Sequence, residues 1–186
     1  MLDVRGRSCL VVGAGPVGTR KAAGLVEEGA DVTLVALAFS AAAEALAGVR
    51  TERRSYVRAD VDGKALVIAA TGDPVVNQQV YDDARVAGVW VNCADEPQRC
   101  SFILPAVVRR GPVVVSVSTG GASPALAQWL RDRLAAALPS DIEGITAELS
   151  RRRRAVQEAG RSTEGMDWTA VIEELVAAAA RDPSGL

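Results

Sequence analysis

Three glycines near the start of the chain have the spacing of a phosphate-binding turn. Gly13, Gly15 and Gly18 form the pattern G-x-G-x-x-G between an apolar run and a stretch with helical periodicity. In this context the first glycine permits a tight bend, the second lets a pyrophosphate approach the backbone, and the third lets strand and helix pack closely. The pattern predicts a dinucleotide with its phosphates at a helix N-terminus. A turn that serves packing alone is the alternative.

Asp95 is a candidate for proton transfer. It directly follows an apolar, strand-like run, and open α/β sheets bind ligands at the carboxyl ends of their strands. A carboxylate there could accept a substrate proton while a dinucleotide takes a hydride. Because the chain has no histidine, acid–base chemistry falls to carboxylates or tyrosines. A turn aspartate bonded to its own backbone is the alternative, which the following Glu96-Pro97 favours.

Two further predicted strand ends bear on the cofactor. Where an acidic residue would normally contact the ribose hydroxyls, the second strand ends in Leu37 and Ala38. That stretch contains no arginine to bind the ribose phosphate of NADP, which weakly disfavours NADP as the cofactor. At another strand end Thr71, Asp73 and Asn77 could contact a cofactor, although Asp73 followed by proline is also typical of a helix start.

A second glycine-rich segment could hold carboxylate groups of a substrate. Ser118, Thr119, Gly120 and Gly121 precede a predicted helix that begins with Ser123 as its N-cap. Backbone N–H groups and hydroxyls in such a turn can donate to anions. Simple capping after a strand is the alternative.

The arginines at 151–154 form a basic run whose usual interpretation is a solvated helix face. A positive lid over an anionic substrate is the second interpretation. Nucleic acid is disfavoured because no aromatic residues interleave the run and the net charge of the chain is −2.

The elements that must position these residues alternate between strand and helix. Strands are predicted over residues 8–12, 31–37, 53–58, 65–70 and 89–93, and helices over 17–28, 40–47 and 74–87. Such alternation implies a parallel sheet. The expected fold class is therefore α/β, with a Rossmann-like parallel sheet followed by a short strand-containing dimerisation segment and a small helical tail.

After residue 105 the pattern changes. Two strands joined by a turn are predicted between 105 and 118, then helices from 123 to Pro139, over 141–157 and over 167–181. We predict a dinucleotide-binding domain at 1–112, a dimerisation segment at 113–140 and a helical tail at 141–186. The apolar stripes of these helices need a partner surface, which favours a homodimer.

Composition narrows the class of protein. No apolar run is long enough to span a bilayer, no secretory signal is evident, and the cysteines at 9, 93 and 100 form no CxxC pair. These features predict a cytoplasmic protein in a reducing compartment, with no membrane partner. With no histidine and scattered cysteines, no bound metal is expected.

Four separated motifs together resemble the precorrin-2 dehydrogenase and sirohydrochlorin ferrochelatase family, which includes the first module of sirohaem synthase. The motifs, in the order and spacing of that family, are GAGPVGTRKA at 13–22, IAATGDPVVNQQV at 68–80, VNCADEPQRCSFILPA at 91–106 and VSVSTGGASPALAQWLR at 115–131. The resemblance covers about residues 1–150.

The resemblance implies NAD-dependent oxidation of precorrin-2 to sirohydrochlorin in sirohaem or corrinoid synthesis, and in some members insertion of ferrous iron into that product. It implies cofactor contacts at Pro16, Val17, Leu37 and Ala38. Its Asn-x-x-Asp element falls on Asn92 and Asp95, with Asn92 as a substrate contact and Asp95 as the catalytic group. Because the methyltransferase module of sirohaem synthase does not follow, we expect the chain to receive precorrin-2 already methylated.

Two other functions remain open. A non-catalytic Rossmann module could bind NAD to control assembly, in which case Asp95 would be dispensable. A chelatase that no longer oxidises its substrate is the other alternative.

Overall fold

The computed structural model describes residues 2–94 and 96–181 and divides them into two compact units, one up to Ile103 and one from Leu104. The first unit contains the strands and helices β1 (Ser8–Ala14), α1 (Pro16–Glu27), β2 (Asp31–Phe39), α2 (Ala41–Glu44), β3 (Val49–Arg53), β4 (Leu66–Ala69), α3 (Pro74–Ala87) and β5 (Trp90–Cys93). The second contains β6 (Ala106–Arg110), β7 (Val113–Val117), α4 (Pro124–Ala137), α5 (Ile142–Glu158) and α6 (Trp168–Arg181).

The first unit is a doubly wound parallel sheet with strand order β3-β2-β1-β4-β5. The predicted fold class is confirmed. Successive strands run outward from β1 to β3 on one side, and the chain then crosses back to place β4 on the other side of β1. The order of the strands therefore reverses between β1 and β4, and such a reversal opens a ligand-binding crevice at the carboxyl ends of the strands.

The central strands lie inside two apolar layers, which explains their unbroken apolar sequence. Val11 and Ile68 belong to the cluster on one face of the sheet, whereas Leu10 and Val67 belong to the cluster on the other. These four side chains are fully buried. Burial of each such side chain contributes about 1.5–3 kcal/mol, so the sheet supplies a rigid base for the turns at its edge.

The predicted position of β3 was wrong. The strand covers Val49–Arg53 rather than 53–58, because its register with β2 pairs Val32 with Val49 and Ala36 with Arg53. β3 is an edge strand with no fully buried side chain, so its polar sequence contains little periodic signal. Beyond it, Arg54 turns back to pair with Glu52 and Asp60.

The helix after β2 is also shorter than predicted, and β2 itself is longer. The strand continues to Phe39, and Ser40 then caps α2 by accepting a hydrogen bond from the backbone N–H of Ala43 at 3.2 Å. α2 ends at Glu44 after a single turn. The residues at 37 and 38 therefore lie within a strand and not in a loop.

The second unit begins with an antiparallel hairpin of β6 and β7, whose turn contains Gly111 in a left-handed conformation. α4 packs on this hairpin, and α5 packs on α6. Few residues of these helices are buried; they are Ala127, Ile145 and Val156. The described residues contain no helix long and apolar enough to cross a membrane.

Candidate functional site

The first glycine of the turn after β1 has no room for a side chain. Gly13 has a φ of +106°, and a Cβ atom there would overlap the carbonyl oxygen of Ala70 and lie 2.9 Å from the backbone nitrogen of Thr71. A Cβ at Gly18 would in turn overlap the carbonyl oxygen of Gly13. The turns after β1 and β4 thus touch through backbone atoms, which requires glycine at both positions.

The second glycine is different, because its surroundings are open. Gly15 has an ordinary φ of −75°, and a Cβ atom there would meet nothing within 4 Å. Neither backbone conformation nor packing in this chain requires glycine at this position. Without a side chain at this position, a ligand can approach the backbone directly. The second glycine of dinucleotide-binding turns has this role.

The N-terminus of α1 is suited to an anion. Gly15 is the N-cap and has no side chain to satisfy the first N–H groups, Pro16 occupies the first helical turn, and that turn contains no acidic residue. Pro16 is exposed and Val17 is half-buried. The uncapped N–H groups and the helix dipole favour negative charge here, and the geometry fits the pyrophosphate of a dinucleotide.

The buried hydroxyl of Thr19, which sequence reasoning missed, connects this turn to the cap of α2 that follows β2. It donates to the carbonyl oxygen of Gly15 at 2.8 Å and lies 3.4 Å from the hydroxyl oxygen of Ser40. A threonine bonded to the carbonyl four residues earlier is an ordinary helix feature, so the motif alone does not reveal that it joins two segments.

The end of β2 presents apolar surface beside the turn. Leu37 is 72% exposed, and Ala38 is also exposed. Arg53, the last residue of β3, is already engaged, because its guanidinium donates to Glu44 at 2.7 Å and lies 4.9 Å from the centre of the Phe39 ring. This edge therefore offers an apolar contact and an arginine that is paired with Glu44.

The turn after β4 is held by side chains that fold back on it. The Thr71 hydroxyl donates to Oδ1 of Asn77, 2.7 Å away, and accepts from the backbone N–H of Asp73 at 3.1 Å. The Asp73 carboxylate accepts from the N–H of Val75 at 2.8 Å and caps α3. Asp73 thus performs the helix-start role considered as the alternative, and the predicted cofactor contact of Thr71 stays a prediction.

The end of β5 is tied to the segment that follows it. Asn92 is buried, and its side-chain amide donates to the carbonyl oxygen of Phe102 at 2.9 Å. The N–H of Ala94 donates to the carbonyl oxygen of Ala69 at 2.9 Å, which extends the sheet beyond β5. Asp95 lies outside the described residues, so its predicted role, like the substrate contact predicted for Asn92, stays a prediction.

The two cysteine thiols near this edge lose their protons less readily than a free thiol, because both are buried or half-buried. Burial raises the pKa of Cys93 to about 11, and burial also raises the pKa of Cys100. The Cys100 sulfur lies 3.3 Å from the carbonyl oxygens of both Cys93 and Glu96, which share its single S–H as acceptors. A thiol must lose its proton to attack a substrate or bind a metal. Among the described residues, no group of three potential side-chain ligands could hold a metal ion.

The glycine-rich segment of the second unit shows the capping geometry that was its alternative interpretation. The Thr119 hydroxyl accepts from the N–H of Ser123 at 3.0 Å, and the Ser118 hydroxyl accepts from the N–H of Gly120 at 3.2 Å. Gly120 and Gly121 have φ values of +63° and +87°. Ser118 and Gly120 are exposed, so atoms of the turn face solvent as well.

Half of the basic run is paired within its own helix. Arg151 and Arg152 donate to Glu148 of α5 at 2.6 Å and 2.7 Å. These pairs are typical of a solvated helix face. They do not support the second interpretation of the run, a positive lid over an anionic substrate.

The structure thus brings the glycine turn, the end of β2 and the turn after β4 together at the carboxyl edge of the sheet, with the end of β5 next to them. Fold and site define a Rossmann-type protein that is built to bind a dinucleotide. The chain belongs to the family described as putative NAD(P)-binding, whose model matches residues 1–106, and residues 110–137 match the model described as sirohaem biosynthesis protein central. The predicted nicotinamide dinucleotide cofactor is confirmed.

Individual proteins with similar sequences agree with the family models. The chain is 38% identical to a siroheme synthase of Nitrosococcus oceani over 95% of its own length and 39% of that protein. It is 42% identical to a siroheme synthase of Methylococcus capsulatus over 84% of its length and 35% of that protein. The chain therefore spans between a third and two fifths of these curated relatives.

A solved structure, SirC, precorrin-2 dehydrogenase, matches 96% of this chain and 86% of its own chain, with a TM-score of 0.70 and 29% identity. The resemblance to the precorrin-2 dehydrogenase family is thus confirmed by family models, by sequence relatives and by a solved structure.

Proposed function

We propose that this protein is an NAD-dependent dehydrogenase that oxidises precorrin-2 to sirohydrochlorin in sirohaem or corrinoid synthesis. The observation that carries the proposal is the open glycine turn at the strand-order reversal, in a chain similar to SirC and to siroheme synthases. The backbone at Gly15 and the N-terminus of α1 hold the pyrophosphate, and Pro16 and Val17 flank it.

The cofactor lies across the crevice between β1 and β4. Leu37 and Ala38 contact the adenosine half, and the turn at Thr71 lies on the side of the nicotinamide half, because each half of a doubly wound sheet takes one mononucleotide. NAD supplies the hydride acceptor when it is bound. Asp95 accepts the proton that the substrate loses as its C–H electron pair leaves with the hydride, and water then takes that proton from the carboxyl group.

The proposal specifies NAD rather than NADP. An enzyme that prefers NADP needs a cation free to bind the phosphate on the ribose. Arg53 is paired with Glu44 and stacked on Phe39, and Leu37 and Ala38 bring no charge to the end of β2.

Anaerobic incubation of the protein with precorrin-2 and NAD tests this function. NADH and sirohydrochlorin should appear together in equal amounts, and NADP should support a much slower reaction. A protein that binds NAD but forms no NADH would contradict the dehydrogenase and favour the NAD-sensing module instead.

The glycine-rich segment at 118–121 is proposed to bind carboxylate groups of the substrate. Precorrin-2 resembles other early tetrapyrroles in having eight acetate and propionate groups. Exposed backbone N–H groups in a left-handed turn can donate hydrogen bonds to such carboxylates. Thr119 stabilises the turn, since its hydroxyl donates to the carbonyl oxygen of Ser123 and accepts from the N–H of the same residue. Ser118 is exposed and can redirect its hydroxyl proton to an anion.

Replacement of Ser118 by alanine is expected to raise KM for precorrin-2 about 3- to 10-fold, the effect of one lost hydrogen bond, with KM for NAD unchanged. Steady-state kinetics measures both. Ser116→Ala, which removes an exposed hydroxyl two residues earlier on β7, is the matched control. An unchanged KM for precorrin-2 in S118A would remove Ser118 from the substrate site.

Iron insertion into sirohydrochlorin is a second activity in the proposal. The nitrogen atoms of the tetrapyrrole can themselves bind the ion, so the protein needs a base to remove their protons and not a resident metal site. The described residues contain no such site. Addition of ferrous iron to the product of the dehydrogenase assay tests this activity.

We further propose a homodimer formed through the second unit, in which the segment at 113–140 and the helical tail at 141–186 provide the interface. Leu126, Trp129 and Leu134 of α4 are 47%, 54% and 42% exposed, and α6 has no buried residue. Large apolar side chains left in water are typical of an interface. Free thiols at all the cysteines suit the reducing, cytoplasmic location that is part of the proposal.

Light scattering should give twice the chain mass of 19.4 kDa. Trp129→Glu should shift the protein toward the monomer, because it would bury a charge in the interface. Val86→Glu changes a side chain of α3 that is 76% exposed in the first unit and should leave the dimer intact. A wild-type protein with the mass of one chain would contradict the dimer.

A further inference from the structure

Asn77 is a buried polar side chain whose amide makes three hydrogen bonds to one neighbour. It is 6% exposed in the second turn of α3. Its Oδ1 accepts from the backbone N–H of Thr71 at 3.2 Å and from the Thr71 hydroxyl at 2.7 Å, and its Nδ2 donates to the Thr71 carbonyl oxygen at 3.1 Å. These three bonds clamp both backbone groups and the hydroxyl of a single residue.

The residue that Asn77 clamps sits against the glycine turn. The N–H of Ala70 donates to the carbonyl oxygen of Val12 at 2.8 Å. At Gly13 a Cβ atom would come within 2.6 Å of the Ala70 carbonyl carbon and 2.9 Å of the Thr71 nitrogen. Backbone atoms of the glycine turn therefore lie close against Thr71, and the three bonds to Asn77 hold Thr71 in that position. Asn77 thus supports the turn that forms the β4 side of the crevice.

Asn77 also contacts the next strand. Its backbone carbonyl oxygen accepts from the thiol of Cys93 at 3.8 Å, and the raised pKa of that thiol keeps the donor protonated. Ala94, the next residue, donates to the carbonyl oxygen of Ala69. The start of α3 therefore links the carboxyl ends of β4 and β5, on the opposite side of β1 from β2.

We propose that Asn77 is a positioning residue for the nicotinamide half of the cofactor, acting through the turn at 70–73 without touching the cofactor. The inference rests on the proposed NAD-dependent function. In a doubly wound sheet one mononucleotide half binds on each side of the strand-order reversal. The adenosine half uses the glycine turn and the end of β2, and the three hydrogen bonds of the Asn77 amide go to neither of them. The nicotinamide half lies along the turn that Asn77 holds.

The test compares a ligand that fills both halves with one that fills only the adenosine half. Asn77→Ala removes all three bonds to Thr71 and is expected to raise Kd for NAD about 10- to 100-fold, because binding must then order the turn at 70–73 that the bonds now hold. Kd for AMP should change by less than about 2-fold, because the adenosine half is untouched. Calorimetric titration of the full chain measures both.

Two further variants separate positioning from general damage. Asn77→Asp keeps the acceptor for the Thr71 N–H and hydroxyl but places a carboxylate oxygen against the Thr71 carbonyl oxygen, which now lies 3.1 Å from the Asn77 Nδ2. Because two acceptors repel and the site is buried, its Kd for NAD should rise at least as much as in N77A, again with little change in Kd for AMP. Gln78→Ala removes only an exposed bond to Asp82 on the same helix and should bind both ligands like wild type.

An equal loss of NAD and AMP binding in both Asn77 variants would overturn the inference, as would unchanged NAD binding in both. If N77A fails to fold, the NAD-to-AMP comparison in N77D decides. Wild-type protein that binds NAD but does not oxidise precorrin-2 would contradict the proposed activity. The comparison of Kd for NAD with Kd for AMP would still test the role of Asn77.

Discussion

Replacement of Asp95 by alanine is expected to lower kcat for precorrin-2 oxidation by about 10²- to 10⁴-fold, the usual contribution of a general base. Kd for NAD should change little, because the proposed cofactor contacts lie on the glycine turn and the ends of β2 and β4. Asp95→Asn should be as inactive as D95A, since an amide cannot accept the proton at neutral pH. Anaerobic single-turnover kinetics with saturating NAD isolates the chemical step.

Asp62→Asn provides the matched control for the loss of a carboxylate. Asp62 is exposed in the first unit, after β3 and before β4. Its replacement should leave kcat unchanged. If D95N retained wild-type kcat, the general base would have to be another group, and the turn interpretation of Asp95 would be favoured. If D95N instead lost NAD binding together with turnover, Asp95 would be part of the cofactor site.

Two glycines of the same motif are expected to respond in opposite ways to substitution. Gly15→Asp should abolish measurable NAD binding, with Kd raised more than about 100-fold, while the protein stays as stable as wild type or becomes slightly more stable. Aspartate is a favoured N-cap, and its charge suits the helix dipole. No atom stands within 4 Å of the new Cβ position. The same carboxylate would occupy the place of the pyrophosphate and repel it.

Gly13→Ala should instead reduce the free energy of unfolding by about 3 kcal/mol or more, because it combines a strained backbone with overpacking. Its φ of +106° is rarely adopted by residues with a side chain, and its Cβ would overlap the Ala70 carbonyl oxygen. Urea denaturation and calorimetric titration with NAD separate the two effects. Gly24→Asp, which adds the same charge at an open position later in α1, controls for charge.

A G15D protein that binds NAD normally would show that the pyrophosphate does not lie at this helix. A G13A protein as stable as wild type would show that the turns after β1 and β4 can separate, and would contradict the close contact between Thr71 and the glycine turn.

Local signals made the boundaries of α3 predictable. α3 covers the predicted residues 74–87 because Asp73 caps it, Pro74 begins it, and Gly88 ends it in a left-handed conformation with a φ of +69°. All of these determinants lie within a few residues of the helix ends. The central strands were equally predictable, since burial on both faces demands an unbroken apolar run. The predicted position of β3 was wrong because an edge strand exposed to water does not require an apolar run.

The fold class, the dinucleotide turn and the cofactor class could all be predicted before folding is considered, because each depends on periodicity or on glycine spacing within one short segment. How the polar side chains are used depends instead on the folded chain. Thr71 and Asn77 bond to each other, Asn92 bonds to the carbonyl of Phe102, and Thr119 closes its own turn. A hydroxyl or amide has the same sequence signature whether it faces a ligand or the backbone of another segment. Its role is therefore set by which segments the folded chain brings within hydrogen-bonding distance.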